Sequence, residues 1–146
     1  FKQHEVFTEP LIKAVHKKMY GGVWGWAGAF RKTNKNIGVD KSQIPLELKN
    51  LLDDSVFWIT NNEYEPDELT VRFKHRLVSI HCFPNGNGRH SRLMADIVIE
   101  KIFKLPVFTW GAGDLVHSGE VRKKYLDGIK AADQGDYKSL IAFARA

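Results

Sequence analysis

Apolar residues recur at helical spacing along most of the chain. Val6, Leu11, Ala14, Val15 and Met19 share one face of a helix predicted over residues 5–20, which Gly21-Gly22 ends. Pro45 in a first turn, followed by Leu48, Leu51, Leu52, Val56 and Ile59, predicts a second helix over 45–60 that stops at Asn61-Asn62. Pro66 opens a third, with Asp67 and Glu68 placed to meet the positive end of its dipole. Its buried stripe is Leu69, Phe73, Leu77 and Ile80, and it ends beside His81. Leu93, Ile97 and Val98 mark a fourth over 88–103. Breaks at Pro106, Gly111 and Gly113 precede two last helices over 118–131 and 135–145. Residues 32–43 are polar and turn-rich around an isolated Ile37-Gly38-Val39, a pattern that suits a short hairpin or an exposed loop. The Trp24-Gly25-Trp26 cluster reads as core at a tight bend, with a base-stacking platform as the rival.

Composition narrows the class. The chain has 146 residues, 43% of them hydrophobic and 27% charged, which suits one folded domain over 1–146. No apolar run reaches the roughly 18–20 residues needed to span a bilayer, and no secretory leader pattern is present. Cys82 is the single cysteine, which excludes an internal disulfide and any multi-cysteine zinc site. Both points suggest a reducing, cytoplasmic setting. The net charge of +5 is scattered rather than striped, with small clusters at Lys17-Lys18 and Arg122-Lys123-Lys124. That speaks for a solvated basic surface and against a nucleic-acid partner. None of the six histidines forms an H-x-x-x-H pair of the kind a helical zinc site needs.

Residues 81–92, His-Cys-Phe-Pro-Asn-Gly-Asn-Gly-Arg-His-Ser-Arg, concentrate the chemistry. A glycine-rich turn opening a helix aims backbone N–H groups at an anion, and the helix dipole adds positive character there. Gly86 and Gly88 are the turn-formers, and Asn87 between them tolerates left-handed backbone while its amide can touch phosphate. Arg89 and Arg92, three apart, project from one helix face and can grip a polyphosphate; pairing with Asp96 or Glu100 is the competing reading. His81 stands just before the turn as the candidate base. Phe83 reads as a packing anchor, and Cys82 as filler rather than nucleophile.

This run resembles the signature of the Fic family, H-x-F-x-[D/E]-G-N-G-R-x-x-R. His81, Phe83, Gly86, Asn87, Gly88, Arg89 and Arg92 match it in type and spacing. The continuation His90-Ser91-Arg92-Leu93-Met94-Ala95-Asp96 resembles a bacterial Fic subgroup named mobile mystery protein B. The resemblance implies a mainly α fold, a Fic-type helical bundle with a small β-hairpin flap. It implies a protein adenylyltransferase that moves AMP from ATP to a Tyr, Thr or Ser hydroxyl of a target protein. In that scheme His81 is the base, the Gly86-Asn87-Gly88 turn and Arg89 and Arg92 hold phosphates, and Ile37, Gly38 and Val39 belong to the target-positioning flap.

Asn85 departs from the pattern. The family usually has an acid there that holds Mg²⁺ (or Mn²⁺), and an amide oxygen brings no negative charge, so Asn85 is a weak metal ligand at best. This keeps alternatives open: other Fic-type phosphotransfer, removal of AMP, or a non-catalytic ATP-binding adaptor. The turn retains both glycines and Arg89, unlike the lysine-bearing, kinase-like Doc variant, which favours nucleotidyl transfer. Many relatives carry an inhibitory helix with the pattern [S/T]-x-x-x-E-[G/N]. No Ser or Thr of this chain has Glu four residues on, and no Glu precedes Gly or Asn. The expectation is therefore an inhibitory helix upstream of Phe1 or a separate antitoxin-like partner.

Overall fold

The computed structural model describes residues 3–112 and 119–146 of the chain. Gly113 and His117, read above as a break and a histidine without a paired site, lie outside the described residues. The architecture is a helical bundle. Its elements in order are α1 (Gln3–Val6), α2 (Glu9–Tyr20), α3 (Ile44–Thr60), α4 (Pro66–Ile80), α5 (Asn87–Ile97), α6 (Gly119–Asp133) and α7 (Lys138–Arg145), with a turn of π-helix over Val98–Ile102 continuing α5.

The first predicted helix is two. Thr8 leaves the helical conformation (φ −129°, ψ 148°) and its hydroxyl accepts from Leu11 N–H at 3.4 Å, capping α2, whose first turn holds Pro10. The helix predicted over 88–103 likewise slackens into the π turn after Ile97.

α4 and α5 run through the middle of the molecule. On one side, Phe73, Leu77 and Ile80 of α4 and Met94 of α5 join Ile12, Ile44, Leu48, Leu51 and Phe83 in one core cluster. On the other, Val71 and Ala95 join Ile99, Trp110, Ala132, Leu140 and Phe143 in a second. α4 is thus enclosed nearly all round, and its interior includes Thr70, Lys74 and His75. Arg145 grips Asp67 with two hydrogen bonds of 2.9 and 2.8 Å, tying the end of α7 to the start of α4.

The predicted β-hairpin is not there. Among the described residues no strand forms, and residues 31–40 are an irregular loop of bends. The reason is tertiary. The carbonyl of Val39 is taken by the Arg31 guanidinium, and Asn34 bonds the Lys41 N–H at 2.8 Å and the Asp40 carboxylate at 3.0 Å. The loop is folded on its own side chains rather than on a partner strand. Asp40 also accepts from Ser42, and these bonds hold its carboxyl down to about 2.

Candidate active site

The site is built where α4 ends and α5 begins. His81 terminates α4 in left-handed conformation (φ 57°, ψ 61°), uncommon for a residue other than glycine. Arg31 holds it there. This arginine is 3% exposed, and its Nε donates to the His81 carbonyl at 2.5 Å while its backbone N–H donates to the Cys82 carbonyl at 2.9 Å. The same guanidinium donates to Thr33 at 3.1 Å, to Ile80 at 3.3 Å and to Val39. One buried fork therefore pins the loop 31–39 to the end of α4. Gly38 (φ 94°) passes so close that a Cβ there would lie 2.6 Å from Cβ of His81.

The imidazole of His81 is half-buried and makes no hydrogen bond among the described residues. Burial, then the charges of Arg31 and Lys35, push its pKa below the ordinary histidine value. Near neutral pH it is an uncharged base.

The loop after His81 is anchored from beneath. Phe83 is fully buried, stacked on the His16 ring at 3.8 Å and edge-on to His90 at 5.0 Å. Gly28 N–H donates to His16 Nδ1 at 3.0 Å, which leaves Nε2–H to donate to the Asn85 carbonyl at 3.0 Å. His90 bonds the Ile12 carbonyl at 2.9 Å. Cys82 is buried and its thiol is pushed up to about 12, so it is an inert packing residue.

The glycine turn divides its labour differently from the sequence reading. Gly86 does take positive φ (78°), and a Cβ would lie 2.5 Å from the Tyr20 ring. Gly88 is ordinary helix with open space beside it. The Asn87 side chain faces inward, its Oδ1 accepting from Phe83 N–H at 3.0 Å and its Nδ2 donating to the Phe83 carbonyl at 2.7 Å. It clamps the loop, with its oxygen and one of its two amide N–H donors spent on Phe83. Gly86 N–H is taken by Asn85 Oδ1 at 2.9 Å. The first helical bond of α5 runs from His90 N–H to the Gly86 carbonyl, leaving the backbone N–H groups of Asn87, Gly88 and Arg89 unpaired among the described residues.

These groups open into a cleft of about 600 Å³ whose walls include His81, Asn85, Gly86, Asn87, Gly88, Arg89, Arg92 and Ile37. All the candidates of the 81–92 run are thereby brought together; Gly38 and Val39 pack against the end of α4 beside it. Among the described residues Arg89 and Arg92 form no ion pair or hydrogen bond, so the competing pairing with Asp96 or Glu100 is not made in contact, although the Arg92 charge is still felt by the Asp96 carboxyl. Sequence reasoning missed Arg31 and His16, whose partners lie tens of residues away. It also missed Val78, Arg122 and Tyr125, which line the cleft from α4 and α6; the basic run at 122–124 was the available hint. Tyr20 and the half-buried Trp24, stacked on Trp26 at 4.6 Å, complete the wall.

The donor set does not make a protein-built magnesium site. Among the described residues, no carboxylate lines the cleft and no cluster of three or more His, Cys, Asp or Glu is poised for a metal, and Asn85 Oδ1 already serves Gly86 N–H.

Comparison with known proteins bears on the family and the fold. The chain is 26% identical over 145 residues to the protein adenylyltransferase Fic of Aedes aegypti, covering 97% of this chain and 28% of that protein. It is 24% identical to the protein adenylyltransferase fic-1 of Caenorhabditis elegans, again over 97% of this chain and 27% of the relative. The chain thus spans about a quarter of these relatives' length. Its fold is similar to that of Fic-1 from C. elegans (residues 134–508), with a TM-score of 0.73 at 22% identity over 94% of this chain and 39% of that one. It is also similar to BepC from Bartonella tribocorum, solved with bound AMPPNP, with a TM-score of 0.69 at 17% identity over 95% and 73%. The model of the Fic/DOC family matches residues 6–99, which include the loop 31–40 and the 81–92 run. This chain belongs to the Fic/DOC family.

Proposed function

We propose that the chain is a protein adenylyltransferase that moves AMP from ATP to a Tyr, Thr or Ser hydroxyl of a target protein. The observation that carries this reading is the convergence, in one cleft, of an uncharged His81, three unpaired N–H groups at the start of α5 and the unpaired Arg89 and Arg92. His81 takes the proton of the target hydroxyl as its oxygen attacks the α-phosphorus in line. The oxygen–phosphorus bond to the target forms, the bond to the β-phosphate oxygen breaks, and pyrophosphate leaves. The N–H groups of Asn87, Gly88 and Arg89 stabilise charge building on the phosphate oxygens. Arg89 steadies the β-phosphate and Arg92 the γ-phosphate. Val78, Ile37 and Tyr125 give the cleft an apolar stretch suited to the nucleoside.

The flap positions the acceptor. Ile37 is 64% exposed, and the backbone N–H groups of residues 35–38 are unpaired among the described residues, open to main-chain pairing with a target segment. No strand is needed beforehand, since the pairing itself extends the loop.

The chemistry is tested by incubating the protein and a cell extract with α-labelled and γ-labelled ATP in parallel. Label transferred from the α position alone is the expected result. The absence of a carboxylate at Asn85 favours one second reading, a kinase-like Fic phosphotransfer, which would transfer label from the γ position alone. No transferred label with retained ATP binding would instead mark a non-catalytic adaptor.

A further inference from the structure

Lys74 lies on α4 and is fully buried. Its ammonium donates to the hydroxyl of Tyr125, and it sits 4.9 Å from the centre of that ring and 5.1 Å from the centre of the Trp110 ring. Among the described residues, each element packed around it brings something other than a carboxylate. α6 brings Tyr125, the segment before α6 brings Trp110, and α5 brings Arg92, whose positive charge opposes it. Further along, Asp96 has a buried Oδ1 without a partner, and Glu100 pairs with Lys101. Neither bonds Lys74. A buried cation without a counter-ion is costly, and aromatic faces offset only part of that cost.

Its neighbours say where the missing charge belongs. Tyr125 and Arg92 both line the cleft, so Lys74 stands one side chain behind the wall, and Arg122 lines it too. Arg89, Arg92, Arg122 and Lys74 thus surround a space into which no carboxylate of the described residues projects. Burial and Arg92 push Lys74 down to about 7, so its amine exchanges a proton with solvent near neutral pH. A polyanion entering beside Arg92 favours the protonated form.

We propose that Lys74 is a positioning residue of the cleft: it orients Tyr125 and takes its missing counter-charge from a bound polyphosphate, so that ligand entry is coupled to proton uptake. The only bond formed is N–H on Nζ, with the proton supplied by the buffer. The inference rests on the cleft being a polyphosphate site.

The test is titration calorimetry at pH 7 in buffers of differing ionisation enthalpy, with AMPPNP, tripolyphosphate and adenosine as separate probes. Relative to K74M, the parent should take up on the order of half a proton more with AMPPNP and with tripolyphosphate, the share open to a group titrating near 7. Adenosine should show no difference. K74M should bind AMPPNP roughly tenfold more weakly, the scale of one charge interaction. Lys74→Met removes an ion from an apolar site at similar length, so the fold should stand. Y125F, which removes the hydroxyl, should weaken AMPPNP in the same direction. Equal proton uptake in parent and K74M overturns the inference while leaving the cleft reading intact. Failure of the parent to bind either anion overturns both.

Discussion

At the scale of single residues, Asn85 sets how far this site departs from its family's pattern. Its Oδ1 is spent on Gly86 N–H and carries no charge, so divalent metal has little to hold on the protein side. Asn85→Asp supplies a charge at the mouth of the cleft. The expected outcome is a half-saturating metal concentration lowered by roughly tenfold or more, with turnover equal or higher. Superimposable metal curves for parent and variant would show that position 85 is no ligand even as a carboxylate. That His81, Arg89 and Arg92 meet in one cleft was legible in the sequence because the run that carries them is local. Asn87 was only half legible. The type and place are those of a phosphate-loop residue, yet its amide is turned inward onto Phe83, which spacing alone does not reveal.

At the scale of elements, helices were readable and the loop 31–39 was not. Leu48, Leu51 and Leu52 or Phe73, Leu77 and Ile80 face the core at intervals that only a helix satisfies. The loop 31–39 has no such rhythm. Its shape is imposed by Arg31, which gathers carbonyls from His81, Thr33, Val39 and Ile80, the farthest fifty residues away in sequence. Trp24 shows the same limit in milder form: it packs on Trp26 as a core residue would, yet also lines the cleft. Arg31→Met keeps the length and removes the fork. It should cost about 2–3 kcal/mol of stability by stranding buried carbonyls. On the proposed function, modification of protein acceptors should fall more than ATP affinity, because the loop 31–39 and His81 lose their common anchor while the turn at Gly86 keeps its own. Denaturant unfolding and acceptor kinetics measured together check this. A variant matching its parent in both would remove Arg31 from the account.

At the scale of the whole molecule, the buried histidines link the fold to pH. His16 and His90 sit between α2, α5 and the signature loop, and burial lowers both pKa values, that of His90 to about 4. Over this range the unfolded chain binds protons that the folded chain refuses. The contribution of these histidines is therefore fully present above about pH 6.5 and falls as the pH drops towards 4, by about 3 kcal/mol from His90 alone, while Asp96, pushed up to about 6 by burial, works in the opposite direction. Thermal unfolding across that window should show the loss, and His90→Gln should flatten it. An unchanged slope in that variant would place the acid sensitivity elsewhere.

The central claim is that this cleft transfers AMP with His81 as base, and intact-mass spectrometry of modified protein tests it most directly. Parent protein and His81→Ala are incubated with ATP and protein acceptors, and AMPPNP binding is measured for both. The parent should yield acceptors or self-modified chains heavier by one AMP. The variant should be slower by about 10²–10⁴ while binding AMPPNP with nearly parental affinity. AMP adducts formed at equal rates by parent and variant, or none formed by a parent that binds ATP, would contradict the account.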